Sequence, residues 1–504
     1  MGYPFWDVGI GYGLLMGTIA VLHVFISHFA IGGGLYLVVM EARARRKSDE
    51  GGLEFLRRLS KFFALTTLVL GALTGVGIWF IIGLLNPAAT EVLIHNFVWG
   101  WAIEWTFFVV EITAALIYYY GWRTMTARTH LAVGWIYFAA AWLSLVIING
   151  IIAFMLTPGR WLTTGAFWDG FFNPTYWPSL VFRTGVCVML AGVYAAFIAS
   201  TMRPEDLKRR LVRTNALWGL VGLLLMAPAF YWYWKAIVAQ VTLPALAGMP
   251  GPVADLDASF WWAAALAAML VVFGLLFPKR LHPVIAAVIM VLALGYFSRF
   301  EWMRESIRKP YVISKYMYGN ATEVSKVDVY RSDGLLAHIE YRTGDDGADL
   351  FRHACQSCHT MNGYRALRPA LDGTDATFIA GLVRGAGVMQ GHMPPFLGTE
   401  EESHQIGDYI WAHVDHRPLR DIYGLSGVEL GRKVYEIRCG RCHEIGGYND
   451  KSETLVGTSA ADLSDILDMA GEITPEMPPF TGDATERAAL IQYLTSLPAG
   501  GNAQ

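Results

Sequence analysis

Two pentapeptides dominate the chemistry available to this chain of 504 residues: Cys355-Gln-Ser-Cys358-His359 and Cys439-Gly-Arg-Cys442-His443. Two thiols separated by two residues and followed at once by an imidazole form the attachment signature of a c-type haem. The thiols make thioethers with the vinyl groups, and His359 or His443 becomes an axial iron ligand. Met393 and Met477 each follow their His by 34 residues and open a Met-Pro-Pro-Phe turn. Methionine ordinarily packs a core. Here the prolines stiffen a loop that would present the thioether to iron, and His/Met ligation with a raised potential is expected. His392-Met393-Pro394-Pro395-Phe396 recurs as Glu476-Met477-Pro478-Pro479-Phe480, and Tyr409 recurs as Tyr493, all at the 84-residue offset of the thiol pairs. Two copies of one small helical domain are therefore expected. His353, His392, His404, His413 and His416 read as surface or supporting residues.

A second set of reactive residues stands in apolar surroundings. His23, His28, Glu104, Glu111 and Arg183 lie within long hydrophobic runs. An ionisable side chain in a membrane helix costs about 3 kcal/mol on insertion scales, so each is a functional candidate. Glu104 and Glu111 are seven residues apart and share a helix face. His23 and His28 are five apart, about 140° around the helix, and cannot both face one cofactor. Taken alone, His23 could equally bond a neighbouring helix, whereas a buried carboxylate needs a cation, a metal or a proton. The lone thiol of Cys187 reads as packing.

The elements that must position these residues are of two kinds. The chain is 54% hydrophobic and only 16% charged, too apolar for a soluble protein of this length. A net charge of −3 offers no basic footprint for nucleic acid, so no nucleic-acid partner is expected. Four of the five cysteines sit in the two CxxC pairs, which excludes a disulfide framework. Eight stretches are long enough to span a bilayer as helices: roughly 8–40, 62–85, 97–120, 130–156, 179–200, 214–234, 259–277 and 283–300. The first has no small-residue cleavage site and is too long for a signal-peptide core, so it reads as a retained helix. The loops after helices 1, 3, 5 and 7 hold sixteen Lys and Arg, against Arg160 and Lys235 on the other side. That asymmetry puts both termini outside the cytoplasm. The fold class expected is all-α: a polytopic bundle of about eight transmembrane helices over 1–310, a linker with a short strand at 311–345, and helical haem domains at 346–420 and 421–504. The location expected is a bacterial cytoplasmic membrane, with the haem domains periplasmic. Covalent attachment of c haems outside the cytoplasm agrees with this.

The segment 345–500 resembles a tandem class I cytochrome c. The membrane part resembles subunit I of the cytochrome bd quinol oxidases. Residues 15–41, ending in LHVFISHFAIGGGLYLVVME, are similar to that family's first helix, with the spacing from a haem-ligating His to a Met-Glu. GALTGVG (71–77), WAIEWTFFVVE (101–111) and ING (148–150) fall at its helix 2, 3 and 4 signatures, and Glu305-Ser-Ile-Arg308-Lys309-Pro310 is similar to its Glu-x-x-Arg-x-Pro element. The resemblance implies that His23, Glu104 and Glu305 are axial or near-axial groups at paired haems where oxygen is reduced. It implies that Arg308 neutralises a haem propionate and that Glu111 sits on a proton route, although Glu111 is one residue closer to Glu104 than in the family. The departures are specific. The family's low-spin haem takes a His early in helix 5 and a Met in helix 7. Here Arg183 stands near the first position, and Phe260-Trp-Trp-Ala-Ala-Ala-Leu266 holds no matching Met. The loop between helices 6 and 7, long and quinol-binding in the family, is short here and rich in Pro and Gly.

The expectation is a respiratory oxidoreductase subunit with two covalent c haems and one or two non-covalent haems of b or d type. Electrons would pass from a periplasmic cytochrome or other donor to the membrane haems and on to oxygen. A second membrane subunit, like bd subunit II, and further subunits are the expected partners. One alternative is a relay subunit in which His28 or His95 closes the membrane iron to oxygen. Another is a membrane-anchored dihaem carrier, which would leave the intramembrane carboxylates without purpose.

Overall fold

The computed structural model describes residues 6, 8–203, 205–240, 250–389, 393–474 and 476–497, without the side chains of 250–257. Two compact units form, one of Met16–Gly83 with Pro87–Arg308, the other chiefly of the residues from Lys309 onward. Among the described residues eight helices are long and apolar enough to cross a bilayer: α1 (Tyr12–Arg46), α2 (Glu50–Leu85), α3 (Val98–Gly121), α4 (Ala127–Leu156), α5 (Tyr176–Ser200), α6 (Glu205–Val238), α7 (Ala258–Leu276) and α8 (Pro283–Arg308). Each apolar run read from the sequence is one of these helices. Several extend beyond their runs, because charged ends such as Arg43–Arg46 of α1 and Glu205–Arg213 of α6 continue the helical hydrogen bonding. Asp49 caps α2 by accepting from Gly52 N at 3.0 Å, and Thr126 caps α4 by accepting from Thr129 N at 3.3 Å, which satisfies donors a helix start leaves open.

Buried α5 is the centre of the bundle. Small residues let its neighbours approach to backbone contact. A Cβ on Gly32 of α1 would stand 1.8 Å from the Cys187 carbonyl oxygen, and one on Gly222 of α6 would stand 2.3 Å from Met189 N. Cys187 is accordingly buried as packing. The outward faces of α2 and α3 expose Leu65, Val69, Leu73, Val76, Phe80, Val98, Trp99 and Val109, an apolar surface suited to lipid or to other membrane helices.

In the second unit the expected linker 311–345 is more than a connector. Strands β1 (Tyr311–Ile313) and β2 (Met317–Tyr318) pair antiparallel, and Tyr318, Tyr330, Leu335 and Ile339 join one core with Leu350, Phe378 and Ile406. The apolar residues scattered through this polar stretch are spent on that packing. The two CxxCH-bearing repeats share one design. In the first, α9 (Asp346–Ala354), α10 (Ala376–Arg384) and α11 (Glu400–Trp411) surround its core; in the second, α12 (Gly427–Arg438), α13 (Ala460–Asp468) and α14 (Ala484–Thr495) do so. Helix α9 crosses α11 where a Cβ on Gly347 would meet Gln405 O at 2.7 Å. Helix α12 crosses α14 where a Cβ on Gly431 would meet Ala489 O at 1.9 Å. Both crossings recur at the same 84-residue offset.

Candidate haem sites

The CxxCH segments leave their helices through the same turn. Cys355 N donates to Phe351 O at 2.9 Å, Cys358 N to Cys355 O at 3.1 Å and His359 N to Cys355 O at 2.9 Å; Cys439, Cys442 and His443 repeat these bonds at 2.9, 3.0 and 2.9 Å. His359 Nδ1 donates to Arg365 O at 3.2 Å, and His443 Nδ1 to Asn449 O at 3.1 Å. Both acceptors are six residues on and both lie in the left-handed backbone region. Binding Nδ1 to a carbonyl fixes the ring and leaves Nε2 for iron. Burial lowers the His359 pKa, favouring the neutral imidazole that ligates. Burial pushes the Cys355 thiol up to about 12, with Cys358 adding to the rise, and likewise pushes Cys439 up to about 12. The residues present fit two covalent haems.

Met393 and Met477 are half-buried in their loops. Phe396 packs on the first core and Phe480 on the second, so each Met loop is anchored next to the Met. His392 lies outside the described residues. His413 Nδ1 donates to Tyr409 O at 2.7 Å, and the His416 ring stacks on Trp411 while Nε2 donates to its carbonyl at 2.8 Å, both supporting contacts.

In the membrane unit the expected site residues fall into separate sets. His23 Nδ1 lies 3.1 Å from Thr74 Oγ1, whose hydroxyl donates to Leu70 O at 2.7 Å. His23 therefore donates through Nδ1 and retains Nε2. The GALTGVG motif makes room for it: a Cβ on Gly75 would stand 3.1 Å from the His23 ring. Ser144 Oγ donates to Glu104 at 3.2 Å, and Tyr137 OH lies 3.2 Å from Glu111 and 3.0 Å from Ala30 O. Glu305 is ion-paired with Arg304 at 2.8 Å and with Arg308. Arg308 also reaches Met155 Sδ at 3.6 Å.

Two clusters escape a reading by sequence. In one, buried Arg183 pairs with Glu301 at 2.7 Å and donates to His28 Nε2 at 3.4 Å, while His28 Nδ1 donates to Val24 O at 2.8 Å. Arg304 bonds Glu301 at 3.0 Å, so charges alternate along Arg183, Glu301, Arg304, Glu305 and Arg308. A search for a counter-charge to Arg183 four residues before Glu305 would have found Glu301. In the other, Glu41 accepts from Arg45 at 2.6 Å, His130 Nδ1 at 2.8 Å and Tyr118 OH at 2.7 Å. Tyr118 and His130 extend the pattern of Glu111 with Tyr137 and Glu104 with Ser144, at seven-residue steps on both α3 and α4. Position 130, at the edge of its apolar run, hid that third pair.

Buried Arg183 Nε and Arg304 Nη1 have no hydrogen-bond partner among the described residues. Unpaired buried cationic donors fit an anionic group such as a haem propionate, and His23 with a spare Nε2 fits an axial ligand. The short loop between α6 and α7, read as lacking the family's quinol site, includes residues 241–249, outside the described residues.

Residues 14–233 match the family model of cytochrome bd terminal oxidase subunit I, and residues 342–410 and 427–494 each match that of cytochrome c oxidase, cbb3-type, subunit III. The structure of bd oxidase from Geobacillus thermodenitrificans aligns with a TM-score of 0.52 and 17% identity, over 66% of this chain and 95% of that one, a likeness of fold. A search of the curated proteins returns no match. The chain joins a helical membrane region like bd subunit I to two helical regions like cbb3-type subunit III, a make-up that supports a membrane respiratory electron-transfer protein.

Proposed function

Starting from a bd-subunit-I-like bundle carrying two cytochrome c domains, we propose that the chain draws electrons from a periplasmic donor through its two c haems and delivers them to membrane haems that reduce oxygen to water. The observation that carries this reading is the exchange of one input for another. Arg183, paired with Glu301 and bonded to His28, stands near the position where the resemblance expects a low-spin haem ligand, while two complete CxxCH turns stand in the same chain. Haem, when bound, supplies the one-electron centres and the iron that binds oxygen. The chain's own residues do the rest. Cys355, Cys358, Cys439 and Cys442 tether, and His359, Met393, His443 and Met477 ligate. His23, Glu104 and Glu305 serve the membrane haems, Arg308 balances a propionate, and Glu111 with Tyr137 handles protons. Each oxygen consumes four electrons and four protons to give two waters.

His28 weighs against a relay that uses it as the second ligand. Both of its ring nitrogens are engaged, by Val24 O and Arg183, so it is not available as a second ligand to a His23-bound iron. A second membrane subunit on the exposed α2 and α3 faces, and a periplasmic face for the c domains, belong to the same proposal. Oxygen uptake by the purified protein tests it. A reduced small cytochrome c or an artificial donor should sustain uptake, and replacing Cys355 and Cys358 by Ala should abolish it. Uptake driven by quinol and indifferent to loss of the c haems would refute it.

A further inference from the structure

Arg438 immediately precedes the second CxxCH motif, yet its guanidinium does not serve its own domain alone. It is 8% exposed. Nη2 donates to Glu486 at 3.0 Å and to the carbonyl of Gly373 at 3.1 Å, and Nη1 donates to Thr481 Oγ1 at 3.2 Å. Its Cζ lies 5.4 Å from the ring centre of Phe378 and 5.8 Å from that of Phe480. Gly373 and Phe378 belong to the first haem domain. Phe480 and Thr481 close the loop that carries Met477. One side chain thus joins four things: the helix end bearing Cys439, the Met477 loop, the buried Glu486 and the neighbouring domain.

The first repeat has no such device, since Ala354 stands 84 residues before Arg438. Glu402, the counterpart of Glu486, accepts from the backbone of Leu335 and Leu336 at 2.9 and 2.7 Å; Glu486 keeps the equivalent backbone donor, Leu419 N at 3.0 Å, and adds Arg438. The surface Arg438 reaches is closely fitted. A Cβ on Gly381 would stand 2.7 Å from Pro478 Cβ and one on Gly385 would stand 2.4 Å from Glu476 O, so α10 lies directly against the Met477 loop. Tyr448 OH adds a bond to Val388 O at 3.0 Å.

Resting on the assignment of covalent haems to both motifs, we propose that Arg438 is a positioning residue. It locks the second haem's attachment helix and methionine loop onto the first domain, so that the two haems work as one fixed pair. Its charge has a second effect. Paired with Arg438, the residue before Cys439, Glu486 is neutralised close to the second attachment motif. Without that partner, a buried negative charge favours oxidised iron.

A redox titration and magnetic-coupling measurement on the full-length protein test this, with the two waves assigned by the Cys355→Ala, Cys358→Ala variant. In Arg438→Met both haems should remain in the denaturing-gel stain, and the coupling between them should fall. The second wave should drop by roughly 59 mV, a tenfold change for a one-electron couple. Adding Glu486→Gln should restore the potential but not the coupling. Gly381→Ala, which wedges the interface without changing charge, should lower the coupling and leave the potential. If Arg438→Met fails to fold, Arg438→Lys takes its place, with coupling reduced and potential kept. Coupling and potentials unchanged in a variant that retains both haems would overturn the proposal. Absence of the second covalent haem from the unmodified protein would instead remove the haem assignment on which it rests.

Discussion

Arg183 stands near the position where the resemblance expects a haem ligand, and its surroundings show why a cation is stable there. Glu301 supplies the charge and His28 an acceptor, all within the buried centre of the bundle. Breaking one half of a buried pair strands the other, at a cost of about 3–5 kcal/mol. Arg183→Met should therefore lower the thermal midpoint markedly, and adding Glu301→Gln should recover much of it; equal stability of single and double variants would contradict the pairing. His23 and His28 make the complementary test. His23→Ala should reduce the non-covalent haem content while both c haems stay, and His28→Ala should spare it. The reverse result would move the membrane ligand to His28. None of these partner choices is visible in sequence. Arg183 and His23 announce themselves as ionisable groups in apolar runs, and Glu305 through the resemblance alone, but what each touches depends on which helices become neighbours.

The helices themselves are readable because their signals are local. Every span follows from an unbroken apolar run, and both haem turns follow from five contiguous residues. The connections are harder to read. The 311–345 stretch is polar in composition, yet Tyr318, Tyr330, Leu335 and Ile339 are core residues, since packing there depends on a partner domain and not on periodicity. Close helix crossings are similar: nothing in the sequence around Gly32 reveals that α1 meets α5 at the Cys187 backbone. Gly32→Ala should force those helices apart. Overpacking of this kind costs about 1–3 kcal/mol, so a lower unfolding temperature is expected, with loss of the Arg183–His28 contact. Unchanged stability would mean the crossing is looser than described. In the haem domains, Cys355→Ala with Cys358→Ala should remove one covalent haem and leave the other, as the denaturing-gel stain would show.

On the proposed reading, the whole chain carries its own electron input. Charge asymmetry between the loops predicts that a periplasmic reporter fused after Gln504 is active and one placed between residues 41 and 61 is not. The central claim is that membrane iron, held by His23 in this chain and fed by two c haems, meets oxygen. The reduced-plus-carbon-monoxide difference spectrum of the purified protein, with haem types counted as pyridine haemochromes, measures it most directly. The account predicts two c haems, one or two non-c haems, and a carbon-monoxide shift in the non-c signal that Glu104→Ala alters. Non-c haem with no shift at all would contradict it and leave a closed, six-coordinate relay.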